Sequence, residues 1–174
     1  MRILGIDPGL GRCGFGLIET SSRAGAKALD FGVVTTTVDA ELPLRMLELY
    51  DSITEVFKET KPEIVAIEKL FFAKNITTGI AVAEARGIVL LVAAQNNLPV
   101  YEYTPNEIKK SLTGYGAATK AQITEMVRVH LGLEEKPKPD DAADALAAAI
   151  TCSFLYMTGK HGEYKFSNNR KEKK

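Results

Sequence analysis

Short apolar runs that close on an acid alternate along the chain with longer stretches whose apolar residues recur every three to four positions. Ile3, Leu4 and Ile6 predict a buried strand that exits at Asp7, where Pro8 and Gly9 break it. Residues 13–20 predict a second, antiparallel strand in which Phe15, Leu17 and Ile18 are interleaved with Gly14 and Gly16, glycines that would let another backbone or a phosphate approach closely. Residues 26–37 are rich in β-branched side chains and predict a third antiparallel strand, with Gly32 as its bulge. A helix over 43–60 follows, starting at Pro43, burying Met46, Leu49, Ile53 and Val56, and stopped by Lys61 and Pro62.

Ile64–Glu68 (IVAIE) then repeats the pattern of the first strand, a short apolar run with a carboxylate at its exit. If the two strands are parallel neighbours, Asp7 and Glu68 meet at the rim where open α/β sheets carry their sites. Residues 69–78 read as a loop, and adjacent Phe71 and Phe72 flanked by Lys69 and Lys74 leave two readings of equal weight: an exposed aromatic that stacks on bases, or two rings packed under the loop. A helix over 80–96 carries Gly79, Ala83 and Gly87 at fourfold spacing and has more apolar surface than one sheet face requires, which makes a homodimer contact a side possibility beside simple core packing. Val100–Tyr103 predicts the fifth strand. Thr104 with Glu107 and Thr119 with Gln122 form capping boxes that start helices over 105–112 and 120–131, and Lys109, Lys110 and Lys120 frame the flexible GYGAA loop between them as a surface for phosphate. A final helix over 140–157 opens on Asp140 and Asp141.

Composition adds boundaries to this picture. The chain of 174 residues, 45% hydrophobic, is expected to form a single domain over 1–158 with a basic tail over 159–174 read as flexible. No apolar run approaches the roughly 20 residues of a membrane span, the start has no signal-peptide layout, and the two cysteines show no metal-ligand spacing, so a cytoplasmic location is expected. Formal net charge is zero, with acids gathered over 41–63 and cations over 109–128 and 165–174. Positive charge confined to one face leaves a nucleic-acid partner open.

Gly9, Gly11 and Gly14 match the G-x-G-x-x-G dinucleotide spacing, but that fingerprint needs a helix opening at the glycines, and the residues here continue as a strand. The carboxylates carry more. Taken singly, Asp7 reads as a turn cap, Glu68 as a strand-end charge, and Asp140 and Asp141 as helix-start residues that favour the dipole. Asp141 and Asp144, however, lie i and i+3 on a helical face that continues through Ala145, Ala148 and Cys152, so two acids extend an inward-looking face. Four acids pooled from three elements would raise one another's pKa, and the remedy is a hard divalent cation, magnesium or manganese rather than zinc. Two such ions serve in-line phosphodiester hydrolysis.

Three antiparallel strands, helix, strand, helix, strand and helices, with acids after the first and fourth strands and on the last helix, is the ribonuclease-H-like layout: a five-stranded mixed α/β sheet flanked by helices. GIDPG at 5–9, AIEKLFFAKN at 66–75, EARG at 84–87, GYGAATK at 114–120 and DDAADALAAAIT at 140–151 resemble the RuvC family of bacterial Holliday-junction resolvases. The resemblance implies a homodimeric, magnesium-dependent endonuclease, with two ions per subunit and manganese as a substitute, that nicks opposed strands of a four-way DNA junction in recombination and repair. It implies Asp7, Glu68, Asp141 and Asp144 as metal-binding catalytic acids, Lys109 and Lys120 as phosphate-contacting or catalytic cations, Phe71 as the aromatic that probes the junction, and the branch-migration proteins RuvA and RuvB as candidate partners. It assigns no catalytic role to Asp140 or Phe72. The alternatives are a ribonuclease-H-like nuclease with another nucleic-acid target and a non-catalytic junction-binding protein. Actin-like and sugar-kinase ATPases share the glycine-rich hairpin but need two domains.

Overall fold

The computed structural model describes residues 1–21, 25–69, 76–156 and 163–164. Six strands form one sheet: β1 (Arg2–Asp7), β2 (Arg12–Ser21), β3 (Gly25–Thr35), β4 (Ile64–Glu68), β5 (Val100–Tyr103) and β6 (Glu163–Tyr164), in the order β3-β2-β1-β4-β5-β6. β1, β2 and β3 are antiparallel to one another, β4 and β5 run parallel to β1, and β6 pairs antiparallel with β5. The five strands expected from the apolar runs are all present. The two-residue β6 comes from within the segment read as tail, where no apolar run announces it.

Helices cover both faces. α1 (Leu42–Thr60) and α2 (Ile76–Gln95) lie on one side, and α3 (Pro105–Thr113), α4 (Lys120–Leu131) and α5 (Asp140–Tyr156) on the other. The strand pleat sorts the side chains accordingly: in β1, Leu4 and Ile6 enter the core shared with α1 and α2, whereas Ile3 enters the core shared with α3, α4 and α5. Helix boundaries follow the sequence signals closely. Both capping boxes form, with Thr104 accepting from the Glu107 backbone N–H and Thr119 from that of Gln122. Gly114 and Gly132 close α3 and α4 at φ of 82° and 62°, a left-handed conformation that favours glycine. α2 starts four residues earlier than its apolar pattern indicates, at Ile76. No helix among the described residues is long and apolar enough to cross a membrane.

The bulge in β3 is not at Gly32. Gly32 stays in register opposite Phe15, and a Cβ on it would stand 3.1 Å from the Phe15 ring, so this glycine makes room for an aromatic neighbour. The register slips instead between Leu17 and Ile18, which face Asp30 and Ala28 and leave Leu29 as the extra residue.

α5 is buried on all sides from Ala142 to Ser153, apart from Asp144, because it is sandwiched between the sheet and α3 and α4. Its approach to the sheet is set by glycines. A Cβ on Gly5 would collide with the Ala145 carbonyl, one on Gly14 with the Asp141 carbonyl, and one on Gly16 would come within 2.7 Å of the Leu146 side chain. Gly5 and Gly16 are paired across β1 and β2, and Gly14 is paired with Asp7, so the strands present a bare backbone floor on which the first turns of α5 rest. Gly5→Ala is therefore expected to destabilise the protein by about 3 kcal/mol, the upper end of the overpacking range because the atoms met belong to the helix backbone. Urea unfolding checks this through a lowered midpoint at unchanged slope.

Candidate active site

The two strand-end acids reach the same face through the period of the strand. Residues two apart point the same way, so Asp7 follows Ile3 and Gly5 while Glu68 follows Ile64 and Ala66, and that side of the sheet is covered by α5. β1 and β4 are paired Ile3 with Ile64 through Ile6 with Ile67, and the next step in that register sets Asp7 beside Glu68. Asp141 lies in the first turn of α5 and Asp144 one turn on, above the glycine floor.

The electrostatics show how close these acids are. The Asp7 carboxyl is pushed up to about 7, first by burial and then by the negative charges of Asp144, Glu68 and Asp141, with Lys120 opposing the rise. Glu68 is also raised, by burial first and then by Asp144, against the pull of Lys109 and Lys120. Four carboxylates from β1, β4 and α5 thus share one field.

Cations partly neutralise them. Lys120, the first residue of α4, places Nζ 2.9 Å from Asp144 Oδ2 and 3.4 Å from Asp140 Oδ2, and the hydrogen bond to Asp144 is the main cause of its raised pKa. Arg12, the first residue of β2, donates to Asp141 Oδ2 from Nε at 3.0 Å and from Nη2 at 2.7 Å. A cavity of about 210 Å³ opens beside the acids, with Glu68, Asp144, Lys109 and Lys120 on its polar wall and Ile108 and Ile123 on its apolar one.

The donor set fits a hard divalent cation. It consists of carboxylate oxygens, and Cys13, next to Arg12 in the chain, is buried in the core on the other side of the sheet, shared with α1 and α2, so its sulfur is turned away from them. Among the described residues no three His, Cys, Asp or Glu side chains already stand at metal-holding distance. Asp141 and Asp144 are engaged by Arg12 and Lys120 instead.

The structure therefore brings Asp7, Glu68, Asp141, Asp144, Lys109 and Lys120 into one neighbourhood, and Asp140 joins them as a second partner of Lys120. Phe71 and its neighbour Phe72 lie outside the described residues. Arg12 was not singled out by the sequence pattern. The signal that finds it is parity, since Arg12, Gly14 and Gly16 share a face of β2 and Gly14 already lies under Asp141.

Residues 3–152 match the family model described as crossover junction endodeoxyribonuclease RuvC. A protein of that description from Caldicellulosiruptor saccharolyticus is 49% identical over 155 residues, covering 89% of this chain and 93% of its own length. Another from Desulfitobacterium hafniense is 53% identical over 150 residues, covering 86% and 90%. Among solved structures, T. thermophilus RuvC in complex with a Holliday junction substrate superimposes with a TM-score of 0.89 at 35% identity, over 94% of this chain and 99% of that one. The yeast mitochondrial Holliday junction resolvase Ydc2, at 15% identity and a TM-score of 0.62, shares the fold. A family model spanning nearly the whole described fold and relatives about half identical over most of their length show that this chain belongs to the RuvC family of crossover junction endodeoxyribonucleases.

Proposed function

We infer that this chain is a structure-specific endonuclease that resolves four-way DNA junctions in recombination and repair in the cytoplasm, acting as a homodimer that makes paired symmetric nicks. Asp7, Glu68, Asp141 and Asp144 would bind magnesium, two ions per subunit, and Lys109 and Lys120 would contact phosphate. The observation that carries this reading is the convergence of Asp7, Glu68, Asp141 and Asp144 from β1, β4 and α5 in one field that Arg12 and Lys120 only partly neutralise, because such a set of carboxylate oxygens is a site for a divalent cation. Magnesium bound there supplies an activated water and stabilises the charge that develops on phosphate.

The chain's own groups complete the site. Asp7 must lose its proton before it can ligate a cation, and Lys120 favours that loss. Lys109, on the cavity wall beside Glu68, offers a cation to a phosphate entering from solvent. The homodimer is supported by α2, where Ile80 and Leu91 are each 51% exposed and Gly87, on the same stripe, has open space at its Cβ position. Two sites on one symmetric assembly suit paired nicks. RuvA and RuvB are the candidate partners of that assembly. The junction as substrate is supported by the T. thermophilus relative described in complex with one.

The test is cleavage of a synthetic mobile four-way junction in magnesium, beside linear duplex and an RNA–DNA hybrid. Religatable paired nicks confined to the junction are expected, and efficient cutting of the hybrid would overturn the substrate assignment. Asp7→Asn is expected to lower cleavage by at least a hundredfold while junction binding, followed by gel shift, stays within a fewfold of the parent.

A pH dependence follows from the same carboxyl. Below the ordinary value of 3.8 Asp7 is protonated in both folded and unfolded chains, and above about 7 it is ionised in both. Between those limits the folded state holds the extra proton, so metal-free protein loses stability as pH rises from about 4 to about 7. Thermal unfolding in chelator should show this loss, and Asp7→Asn should flatten it. Apparent magnesium affinity should in turn rise with pH up to about 7, as the proton ceases to compete.

A further inference from the structure

Arg12 occupies the carboxylate that a metal ion needs. Its Nε and Nη2 both donate to Asp141 Oδ2, at 3.0 and 2.7 Å, while Lys120 contacts Asp144 and Asp140. The position is built rather than incidental. A Cβ on Gly9 would collide with the Arg12 carbonyl, so the turn closes tightly only with glycine there. Thr36 fastens the same turn, donating from its backbone N–H to the Gly11 carbonyl at 3.3 Å and from Oγ1 to the Leu10 carbonyl at 2.7 Å, and Arg45 Nε donates to Thr36 Oγ1 at 3.1 Å. Gly14, two residues on, lets the backbone of α5 come down at Asp141 itself. The turn and the helix are thus fixed against each other, and the guanidinium is left reaching the carboxylate across the gap.

We propose that Arg12 is an internal counter-ion that a divalent cation must displace from Asp141. The proposal rests on the metal-dependent reading above and adds to it a positioning residue outside the acids and lysines. In the metal-free protein the guanidinium pairs with Asp141, which sets a competition against the incoming ion. Arg12 is half exposed, so the pair is weak enough to exchange. Once DNA is bound, its phosphates offer the displaced guanidinium another anion. Metal loading and DNA binding then reinforce each other, because each relieves the cost of the other.

The experiment is titration of the full chain with manganese in the absence of DNA, free ion being counted by electron paramagnetic resonance, on the parent, Arg12→Gln, Arg12→Lys and Asp7→Asn. Arg12→Gln should bind manganese about twofold to fivefold more tightly, the range set by the strength of an exposed ion pair, and should unfold at a lower temperature in chelator. Arg12→Lys, which keeps the charge but loses the paired N–H donors, should fall between parent and Arg12→Gln. Unchanged or weaker binding by Arg12→Gln, with its far-ultraviolet spectrum intact, overturns the proposal and leaves the nuclease reading standing. Binding by Arg12→Lys as tight as by Arg12→Gln also overturns it, since a positive charge kept at this position would then not compete with the ion. If the parent binds no manganese that Asp7→Asn abolishes, the metal-dependent reading fails and this proposal with it.

Discussion

The close approach of α5 to the backbone of β1 and β2 is the constraint on which the rest depends. Gly5, Gly14 and Gly16 leave the sheet surface without side chains where the helix lands, and the Ala145 and Asp141 carbonyls take the space that a Cβ would fill. A helix normally packs on a sheet through two layers of side chains. Here one layer is missing, so the helix's first turn comes down to the level of the strand-end carboxylate. The alanine-rich sequence of α5 serves the same end on its other faces, letting α3 and α4 close over a helix that is buried all round.

That geometry creates an electrostatic problem which the surrounding cations only partly resolve. Asp7 and Glu68 lie at adjacent strand exits, and lowering α5 onto the glycines adds Asp141 and Asp144 to the same field. Lys120 takes Asp144 and Asp140 and Arg12 takes Asp141, yet Asp7 still holds its proton to about 7. Packing energy assembles the acids against their mutual repulsion, and on the proposed function the residual charge is what would draw in a divalent ion and, through it, phosphate. Stability and chemistry pull in opposite directions at this rim, as they do wherever like charges are gathered for function.

The capping boxes at Thr104 and Thr119 formed as written because a cap is a local interaction, completed within four residues. The acids at Asp7 and Glu68 were legible because each ends an apolar run, and the period of two carries both to one face. The bulge was not, because its place is set by the partner strand: Gly32 stays in register beside the Phe15 ring, and the slip falls at Leu29. The start of α2 and the short β6 were missed for the same reason, since neither has a local signal strong enough to fix it. Gly14 and Gly16 leave room for a backbone or a phosphate, and the structure fills that room with α5.

The amino-acid sequence by itself determined the order of β1 to β5 and of the five helices, the caps that begin and end α3 and α4, and which residues carry negative charge to element ends, because those depend on neighbours a few positions away. Only the tertiary structure decided that α5 touches bare backbone, that Arg12 meets Asp141 across 129 positions of chain, and that burial and three distant carboxylates raise the pKa of Asp7. The reason is physical: a pKa, an ion pair and a van der Waals contact are set by distance and solvent exposure, and no stretch of sequence contains those until the chain has closed on itself.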